Sequence, residues 1–365
     1  MGTLSAVSVA GMSIRFVLRD PLGEEAVRDV VDGRWAPAEG EADSVVGEGL
    51  WALPGLVDGH AHLAVERLDY EPGDFEGAVR RAKEALAAGV TLVLDKGWRD
   101  LTTIEVERAL PPEQRPDIEA AGRVIAAAEG HYPGFAIEVE PGELAGVVAA
   151  EAAGGLGWVK LFGDWPRKGR GPVANFDQDE LRTAVEVAET ANARVAIHTM
   201  AREVPSLAVA AGVHSIEHGL FLTEDDIAVL GGRGGMWVPT IRRVKATITQ
   251  LGSGSSGGKL LSEGLRNIQG LLPLAVEAGV RVLAGTDLVG SPAQVAKEAI
   301  ELAGSGLGSR RTVEAVSASA RAATGRPYRF EHGAWADAVL FPEDPVAEPV
   351  VLTHPAVVVR MGRVL

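Results

Sequence analysis

The chain has 365 residues, 46% of them hydrophobic, no cysteine, and 50 acidic against 35 basic residues, for a formal net charge of −15. This length buries a sizeable core and suits one large domain or two smaller ones, while the lack of cysteine excludes disulfide scaffolds and thiolate metal sites. An acidic chain without a basic stripe argues against nucleic-acid and anionic-membrane partners. We expect a cytoplasmic enzyme with a small-molecule substrate, and the composition leaves a homo-oligomer open.

The two ends of the chain favour short β-strands. Residues 1–53 carry alternating apolar runs such as 13–18, and strand-like runs return at 339–341 and 356–364. The first residues lack the basic and apolar regions of a secretory signal, and no apolar run reaches the roughly 18–20 residues that would span a bilayer. We predict one small discontinuous β domain formed by both termini, with bounds 1–53 plus 334–365.

The middle of the chain, 54–333, alternates apolar β-branched runs with Ala-rich helical stretches, which is typical of repeated βα units around a parallel sheet. This rhythm predicts an α/β fold, a (β/α)8 TIM-like barrel, because eight runs are the number that a closed barrel needs. The predicted strands cover 55–58, 90–95, 118–127, 158–162, 194–199, 213–218, 236–240 and 280–287.

Helical patterns lie between these strands, and some carry start or stop signals. Asp177 with Glu180 makes an acidic capping box, and Thr223 precedes an acidic first turn. Three glycines are placed to end helices in the left-handed conformation: Gly89, Gly212 and Gly279. The predicted helices cover 74–88, 101–110, 142–153, 177–192, 203–211, 223–230 and 262–278, with further pieces at 292–302 and 312–323.

The segment 252–258 reads GSGSSGG, the composition of a flexible linker. It follows the seventh predicted strand, on the side where barrel loops build an active site. A mobile lid and an ordinary solvated loop are both compatible with this position.

Polar side chains stand at or just past the ends of several predicted strands, where a parallel barrel brings them together. His60 and His62 point to the same side of the first strand, a spacing suited to one metal ion. Lys160 lies inside the apolar fourth strand, where an unpaired ammonium is costly and needs a partner or a modification. The fifth, sixth and eighth strands end at His198, His218 and Asp287.

Each of these residues also has an ordinary structural interpretation. His198 suits a hydrogen-bonded core histidine, Lys160 a snorkelling cation, and Asp287 a helix N-cap. Their joint placement at strand ends favours a site with nitrogen and oxygen ligands.

The motifs PGLVDGHAH, VKLF, AIHT, HSIEHG and AGTD, in this order, resemble the amidohydrolase superfamily, and the text between Lys160 and Thr240 is similar to its prolidase and imidazolonepropionase-related hydrolases. The resemblance covers nearly the whole chain and implies a (β/α)8 barrel with a small β-sandwich made from both termini. It implies two divalent ions, zinc above all, that activate a hydroxide to hydrolyse an amide-type bond, with Asp287 shuttling the proton. The implied metal ligands are His60, His62 and Asp287 for the first ion, His198 and His218 for the second, and a carboxylated Lys160 as the bridge.

The resemblance also places His131, in AAEGHYPG, near the substrate carbonyl as an oxyanion or substrate contact; a histidine bonded to its own loop is the plain alternative. Tyr132 is a weaker candidate beside it. Arg167 and Arg242, in basic clusters after the fourth and seventh strands, suit a substrate carboxylate, although such loops are often only solvated.

Four further residues receive structural interpretations. Asp95, at the end of the second strand, parallels a family acid and is expected to orient its neighbours. His214 is expected to support the ligands or lie in the core. His332 and His354 fall beyond the barrel, in solvated or β-domain positions.

Departures from the family pattern leave the substrate open among a dipeptide, an N-acyl amino acid and a cyclic amide or ester. The run FGDWPRKGRG after Lys160 replaces a small Gly-rich one, and VPTIRRVKATIT lacks a tyrosine common there. One rival is a mononuclear deaminase of a heterocycle, which would place a glutamate shortly after His198; here TMAR precedes Glu203. A second rival is a catalytically silent scaffold, which is expected to lose ligands.

Overall fold

The computed structural model describes residues 13–67, 71–140 and 142–365. Predictions that concern residues 1–12 lie outside the described part. The strands are β1 Ile14–Arg19, β2 Glu25–Val31, β3 Arg34–Pro37, β4 Ser44–Val46, β5 Trp51–Leu53, β6 Leu56–Ala61, β7 Val90–Asp95, β8 Asp117–Ala121, β9 Ile125–Ala127, β10 Ile137–Val139, β11 Gly157–Phe162, β12 Asp164–Arg167, β13 Gly171–Ala174, β14 Arg194–Thr199, β15 Ser215–His218, β16 Met236–Val238, β17 Arg281–Val282, β18 Ala338–Phe341, β19 Val357–Arg360 and β20 Arg363–Val364.

The α-helices lie mostly between the strands of the central sheet, as the alternating pattern predicts. They are α1 Phe75–Ala87, α2 Thr102–Ala109, α3 Leu144–Gly154, α4 Gln178–Thr190, α5 Val204–Ala210, α6 Glu224–Gly232, α7 Ile241–Leu251, α8 Ser256–Glu277, α9 Val295–Leu302, α10 Ser309–Val316 and α11 Ala318–Ala323. Among the residues that the structure describes, no helix combines the length and apolarity needed to cross a bilayer.

The central sheet is parallel, in the order β6-β7-β8-β11-β14-β15-β16-β17, so the chain has a mixed α/β fold. Its two edge strands are linked by backbone hydrogen bonds from Gly59 N to Ala284 O (2.7 Å) and from Asp287 N to His60 O (2.9 Å). These bonds bring the carboxyl end of the first strand beside the segment that follows the last.

Alternation along β11 shows which side chains face the inside of this sheet. Trp158 belongs to a small inner apolar cluster, whereas Val159 and Leu161 pack in the large cluster that also holds the helices. Because successive strand residues point to opposite faces, Lys160 lies on the inner face with Trp158.

Strands from both ends of the chain share a second sheet, in the order β20-β19-β18-β5-β1-β2-β3, with β4 also paired to β1. Its own core includes Phe16, Trp35 and Leu340, with Trp35 edge-on to Phe16 at 5.3 Å. The predicted union of the two termini in one β unit is thus supported in part. The domain bounds, 1–53 plus 334–365 and 54–333, stay a prediction.

The predicted helix signals are confirmed. Asp177 and Thr223 each form a reciprocal capping box at the start of α4 and α6. The three glycines that follow α1, α5 and α8 have φ of 84° (Gly89), 92° (Gly212) and 92° (Gly279), the left-handed region that glycine tolerates best.

Two predicted strands differ in the structure. The run 118–127 is interrupted at residues 122–124 and divides into β8 and β9. Of 280–287, only Arg281–Val282 is regular strand, because the side chain of Asp58 replaces part of the backbone ladder. Its carboxylate accepts hydrogen bonds from Thr286 N (3.1 Å) and Thr286 Oγ1 (2.6 Å).

The region after the seventh strand also differs from the prediction. Residues 241–251 form helix α7, and α8 begins at Ser256, six residues earlier than predicted, with Ser255 accepting a hydrogen bond from Gly258 N (2.9 Å). The Gly/Ser-rich segment is therefore a short turn and the first turn of a helix. It joins α7 to α8 and does not follow the strand directly.

Candidate metal centre

His60, His62 and Asp287 form a compact cluster at the carboxyl end of the central sheet. One ligand atom from each lies within 4.8 Å of the other two. Asp287 Oδ1 is 3.6 Å from His60 Nε2 and 3.5 Å from His62 Nε2. All three side chains are largely buried, so the cluster offers two imidazole nitrogens and a carboxylate to one ion.

Neighbouring groups and local backbone geometry fix the orientation of these three residues. His62 Nδ1 contacts Gly97 O at 2.7 Å, which leaves Nε2 facing Asp287. Asp58 accepts a hydrogen bond from His60 N at 3.1 Å. A Cβ on Gly285 would come within 2.6 Å of His60 Cβ, so only glycine fits there. Asp287 has a positive φ of 40°, a strained conformation of the kind that clusters at functional sites.

His198 and His218 make a second pair beside the first cluster. His218 Nε2 lies 2.9 Å from His198 Nδ1, and His218 Nδ1 lies 2.6 Å from Thr240 Oγ1 and 3.8 Å from Asp287 Oδ2. His218 (φ 64°) and Thr240 (φ 49°) also have left-handed backbones. Burial lowers the pKa of His218 to about 3 and that of His198 well below its usual value, so both imidazoles are neutral and able to bind a metal.

Lys160 completes the predicted ligand set. The residue is 2% exposed, and its Nζ has no hydrogen-bond partner within the described ranges. Burial lowers the pKa of Lys160 to about 8, and Lys96 adds to this effect, although Glu217 and Asp287 oppose it. The charge of Lys160 in turn lowers the pKa of His60, His198 and His218, so it lies within electrostatic reach of both histidine pairs.

Glu217 is a site residue that sequence reasoning missed. Its Oε2 lies 2.5 Å from His60 Nδ1, and its Oε1 accepts a hydrogen bond from Ser215 Oγ (2.6 Å) and lies 3.4 Å from Lys96 Nζ. Burial raises the pKa of Glu217, but Lys96 and His60 outweigh it and hold the carboxyl ionised. A glutamate inside the buried strand HSIEHG was the available signal.

Lys96 follows β7 directly and was also missed. It is fully buried, with Nζ 4.1 Å from the centre of the Trp158 ring. Lys96 and Lys160 thus both lie inside the sheet, and both lower the pKa of the same carboxyl group, that of Glu217. The pair Lys96–Glu217 supplies charge balance behind His60.

Asp164, at the start of β12, is a third missed residue. Its Oδ2 accepts hydrogen bonds from Met200 N (2.7 Å) and Ala201 N (2.9 Å), and Oδ1 lies 3.9 Å from His198 Nε2. Burial raises the pKa of Asp164 to about 7. The carboxyl ties β12 to the loop that follows β14 and places an oxygen beside His198.

An aromatic wall, composed of Trp98, Phe135, His131, Phe162 and Trp165, runs between the two histidine pairs. Ring centroids of His131 lie 3.7 Å from Phe162, 4.4 Å from Trp165 and 4.6 Å from Phe135. The wall reaches His62 through Trp98 (5.6 Å) and His198 through Phe162 (4.7 Å). Burial lowers the pKa of His131 to about 3, so its imidazole is neutral.

The other predicted substrate contacts differ in where they lie and in which groups they contact. Tyr132 is 49% exposed. Arg167 is in the β12–β13 hairpin and donates to Ala128 O and Asn175 Oδ1, both at 3.2 Å. Arg242 is in α7, in a helix and not in the expected loop, and donates to Val289 O at 3.0 Å. Its neighbour Arg243 is closer to the ligands, with Nε 3.9 Å from Asp287 Oδ2.

The remaining candidates lie outside this cluster or support it. Asp95 accepts hydrogen bonds from Leu63 N (2.6 Å) and Gly97 N (2.8 Å), next to His62. His214 is half-buried before β15, where Nδ1 accepts a hydrogen bond from Val195 N (3.1 Å) and Nε2 lies 3.2 Å from Glu189 Oε1, and its supporting or core role stays a prediction. His332 contacts Trp35 O at 3.2 Å, and His354 is exposed, as expected.

Comparison with known proteins identifies the family. The amidohydrolase family matches residues 51–365. An uncharacterized protein from Mycobacterium tuberculosis is 32% identical over 343 residues, covering 92% of this chain and 90% of that protein. An imidazolonepropionase from Saccharopolyspora erythraea is 30% identical over 264 residues, covering 58% and 62%. A solved Xaa-Pro dipeptidase with bound methionine has a TM-score of 0.80 at 21% identity, covering 97% of this chain and 99% of that one. The chain belongs to the amidohydrolase family.

Proposed function

We propose that the protein is a metal-dependent hydrolase that cleaves an amide-type bond in a small substrate. The observation that carries the proposal is the convergence of His60, His62 and Asp287 on one point, with His198 and His218 beside them. In this proposal the parallel strands form a complete (β/α)8 barrel, capped by a β-sandwich from the two termini. The site then lies at the carboxyl face of the barrel, where catalytic loops converge.

The donor set fits two divalent ions, for which zinc is our proposal. Neutral imidazoles and a carboxylate suit zinc, and the chain has no thiolate to offer. The buried Nζ of Lys160 fits a bridging role after it reacts with carbon dioxide, because the resulting carbamate is anionic and removes the cost of a buried ammonium. When bound, such ions lower the pKa of water and polarise a carbonyl oxygen.

Two side chains are assigned to the substrate carbonyl and the transferred proton. Asp287 is ionised, because His60, His62, His218 and Arg243 hold its pKa well below the usual value despite burial, and it can accept a proton from water and pass it to the leaving amine. Neutral His131 is assigned to donate a hydrogen bond to the substrate carbonyl oxygen.

Arg243 supports a substrate that carries a carboxylate. It is the cation that faces Asp287, and guanidinium groups bind carboxylates in a bidentate manner. The aromatic wall supports an apolar or planar group on the other side of the scissile bond. We infer a dipeptide or N-acyl amino acid with an apolar acyl part. A cyclic amide or ester is the alternative substrate class, and an imidazolonepropionase is among the similar proteins.

A substrate panel with paired carboxylate and carboxamide compounds tests the proposal. Metal-loaded protein should hydrolyse N-acyl amino acids and not their carboxamide counterparts. Arg243→Gln should raise KM for the carboxylate compounds by about tenfold, since it removes a charge-assisted hydrogen bond. Arg182→Gln is the matched control, because Arg182 is an exposed arginine on α4 that is paired with Asp179. No hydrolysis of any member, or equal effects of the two variants, would contradict these assignments.

A further inference from the structure

A cavity of about 350 Å³ lies at the opposite end of the central strands from the metal centre. Its lining includes Pro54, two residues before β6, and Asp117, the first residue of β8. Strands of about six residues separate the two ends by roughly 20 Å. The cavity is therefore not part of the site described above, and its volume lies within the ordinary range for small-ligand pockets.

Arginines dominate the charge of this cavity: Arg34, Arg321, Arg326 and Arg329 all line it. In a chain with a net charge of −15, such a concentration is unusual. Arg34 comes from β3 of the terminal sheet and Arg321 from α11, so the cavity joins the two parts of the fold.

The carboxylates in this cavity are largely engaged by other groups. Asp117 accepts hydrogen bonds from Arg360 Nη2 (2.7 Å) and Arg326 Nη1 (2.6 Å). Asp337 accepts from Arg360 Nη1 (2.6 Å) and Met361 N (2.9 Å). Arg326 is therefore paired, whereas the other three lining arginines have weaker compensation or none.

Arg321 is the lining arginine that most needs a counterion. It is 6% exposed, its Nη2 donates to Thr91 Oγ1, and its Nε has no hydrogen-bond partner in the described ranges. No carboxylate of the described residues lies within ion-pair distance of it; Asp337 and Asp117 act on it only from farther away. A buried cation without a close counterion is costly, and a bound anion would remove that cost.

The rim offers two further donors. Arg329 is 51% exposed, with its nearest carboxylate oxygen, Asp20 Oδ2, at 3.9 Å. Arg34 stacks on Trp335 at 3.9 Å and uses Nη1 for Gly333 O (2.8 Å), which leaves its other N–H groups available. Glu331 also lines the cavity but is exposed to solvent, where its repulsion of an anion is screened.

We propose that this cavity binds a small oxyanion, a phosphate or a carboxylate, held by Arg321 at its base and by Arg34 and Arg329 at its rim. Guanidinium groups match both anions in geometry and charge. The anion bridges β3 of the terminal sheet to α11 and to the segment that follows α11. Binding to the folded state alone makes the anion a stabiliser of the assembled fold.

Calorimetric titration of the metal-replete protein tests this site, with inorganic phosphate and succinate as probes at constant ionic strength set by chloride. We expect saturable binding of at least one probe, and the stronger of the two tells whether the site prefers phosphate or carboxylate. Arg329→Gln and Arg34→Gln should each weaken that binding by about fivefold or more, since each removes charge-assisted hydrogen bonds. Arg182→Gln is the matched control: Arg182 is an exposed arginine on α4 and is paired with Asp179.

Two results would overturn the proposal. One is the absence of saturable binding for both probes. The other is wild-type affinity in Arg329→Gln and Arg34→Gln, which would place the anion elsewhere, for example at the metal centre. Because neither variant touches the metal ligands, failure of this proposal and failure of the proposed hydrolase activity are separate outcomes.

Discussion

The buried pair of Glu217 and Lys96 allows a quantitative prediction. Lys96 Nζ lies 3.4 Å from Glu217 Oε1, and both side chains are excluded from solvent. At this separation and an effective dielectric constant of about 20, their attraction amounts to about 5 kcal/mol. Breaking a buried pair by removing one partner costs about 3–5 kcal/mol, because the remaining charge stays buried.

Glu217→Gln should therefore lower the free energy of unfolding of the metal-free protein by about 3–5 kcal/mol, measured by urea denaturation. Lys96→Met in the same chain should restore most of this loss, because no unpaired charge then remains. Ser215→Ala is the control: it removes only one hydrogen bond to Glu217 and should cost about 1 kcal/mol.

The same variants separate the two roles of Glu217, its charge pair with Lys96 and its contact with His60. Glu217→Gln should weaken metal affinity by about 10–100-fold, because Glu217 orients His60 through Nδ1. Lys96→Met alone leaves that contact in place and should keep affinity close to wild type in a chelator competition. The reasoning is refuted if Glu217→Gln destabilises the protein no more than Ser215→Ala does. It is also refuted if adding Lys96→Met to Glu217→Gln does not restore the free energy of unfolding.

Three further predictions concern single residues. Asp287→Asn should keep much of the bound metal yet lose about 10²–10⁴-fold in kcat, and retained turnover would remove Asp287 from proton transfer. His131→Phe should keep the thermal midpoint and reduce kcat about 10²-fold, and an unchanged rate would show that His131 does not contact the carbonyl. Burial raises the pKa of Glu298 from 4.5 to about 8, so the folded state retains a proton that the unfolded state releases, and the free energy of unfolding should fall as pH rises through this interval. Glu298→Gln should flatten that pH dependence, unlike the control Glu186→Gln at an exposed position of α4; an unaltered slope would contradict it.

The positions of the candidate ligands could be predicted from sequence because one simple rule governs them. In parallel βα units the residues at the carboxyl ends of strands converge, so His60, His198 and Asp287 could be placed together without knowing any contact. Their roles as ligands stay a prediction, while their proximity is observed.

The residues that were missed depend on pairings across strands, which local patterns do not contain. Glu217 looked like one residue of an apolar strand until the structure placed His60 and Lys96 beside it. Arg243 belongs to the same predicted basic cluster as Arg242, but the sequence could not tell which of the two faces the site because α7 was interpreted as loop. Its apolar residues Ile241, Val244, Ile248 and Leu251 do follow helical spacing.

The eighth strand shows a different limit. Beyond Val282 the backbone leaves regular pairing, and a side chain, Asp58, holds Thr286 in place. Left-handed conformations at His218, Thr240 and Asp287 have no signature in sequence, because only a few per cent of residues other than glycine adopt them. The surrounding contacts impose them.

The most direct test of the central claim is the metal content per chain, measured by elemental mass spectrometry on protein purified without chelators, together with its intact native mass. The account predicts two zinc-like ions and an added mass of one carbon dioxide on Lys160. Lys160→Ala should lose both ions and the added mass. A single ion with an unmodified lysine, or no ion even after metal addition, would contradict it.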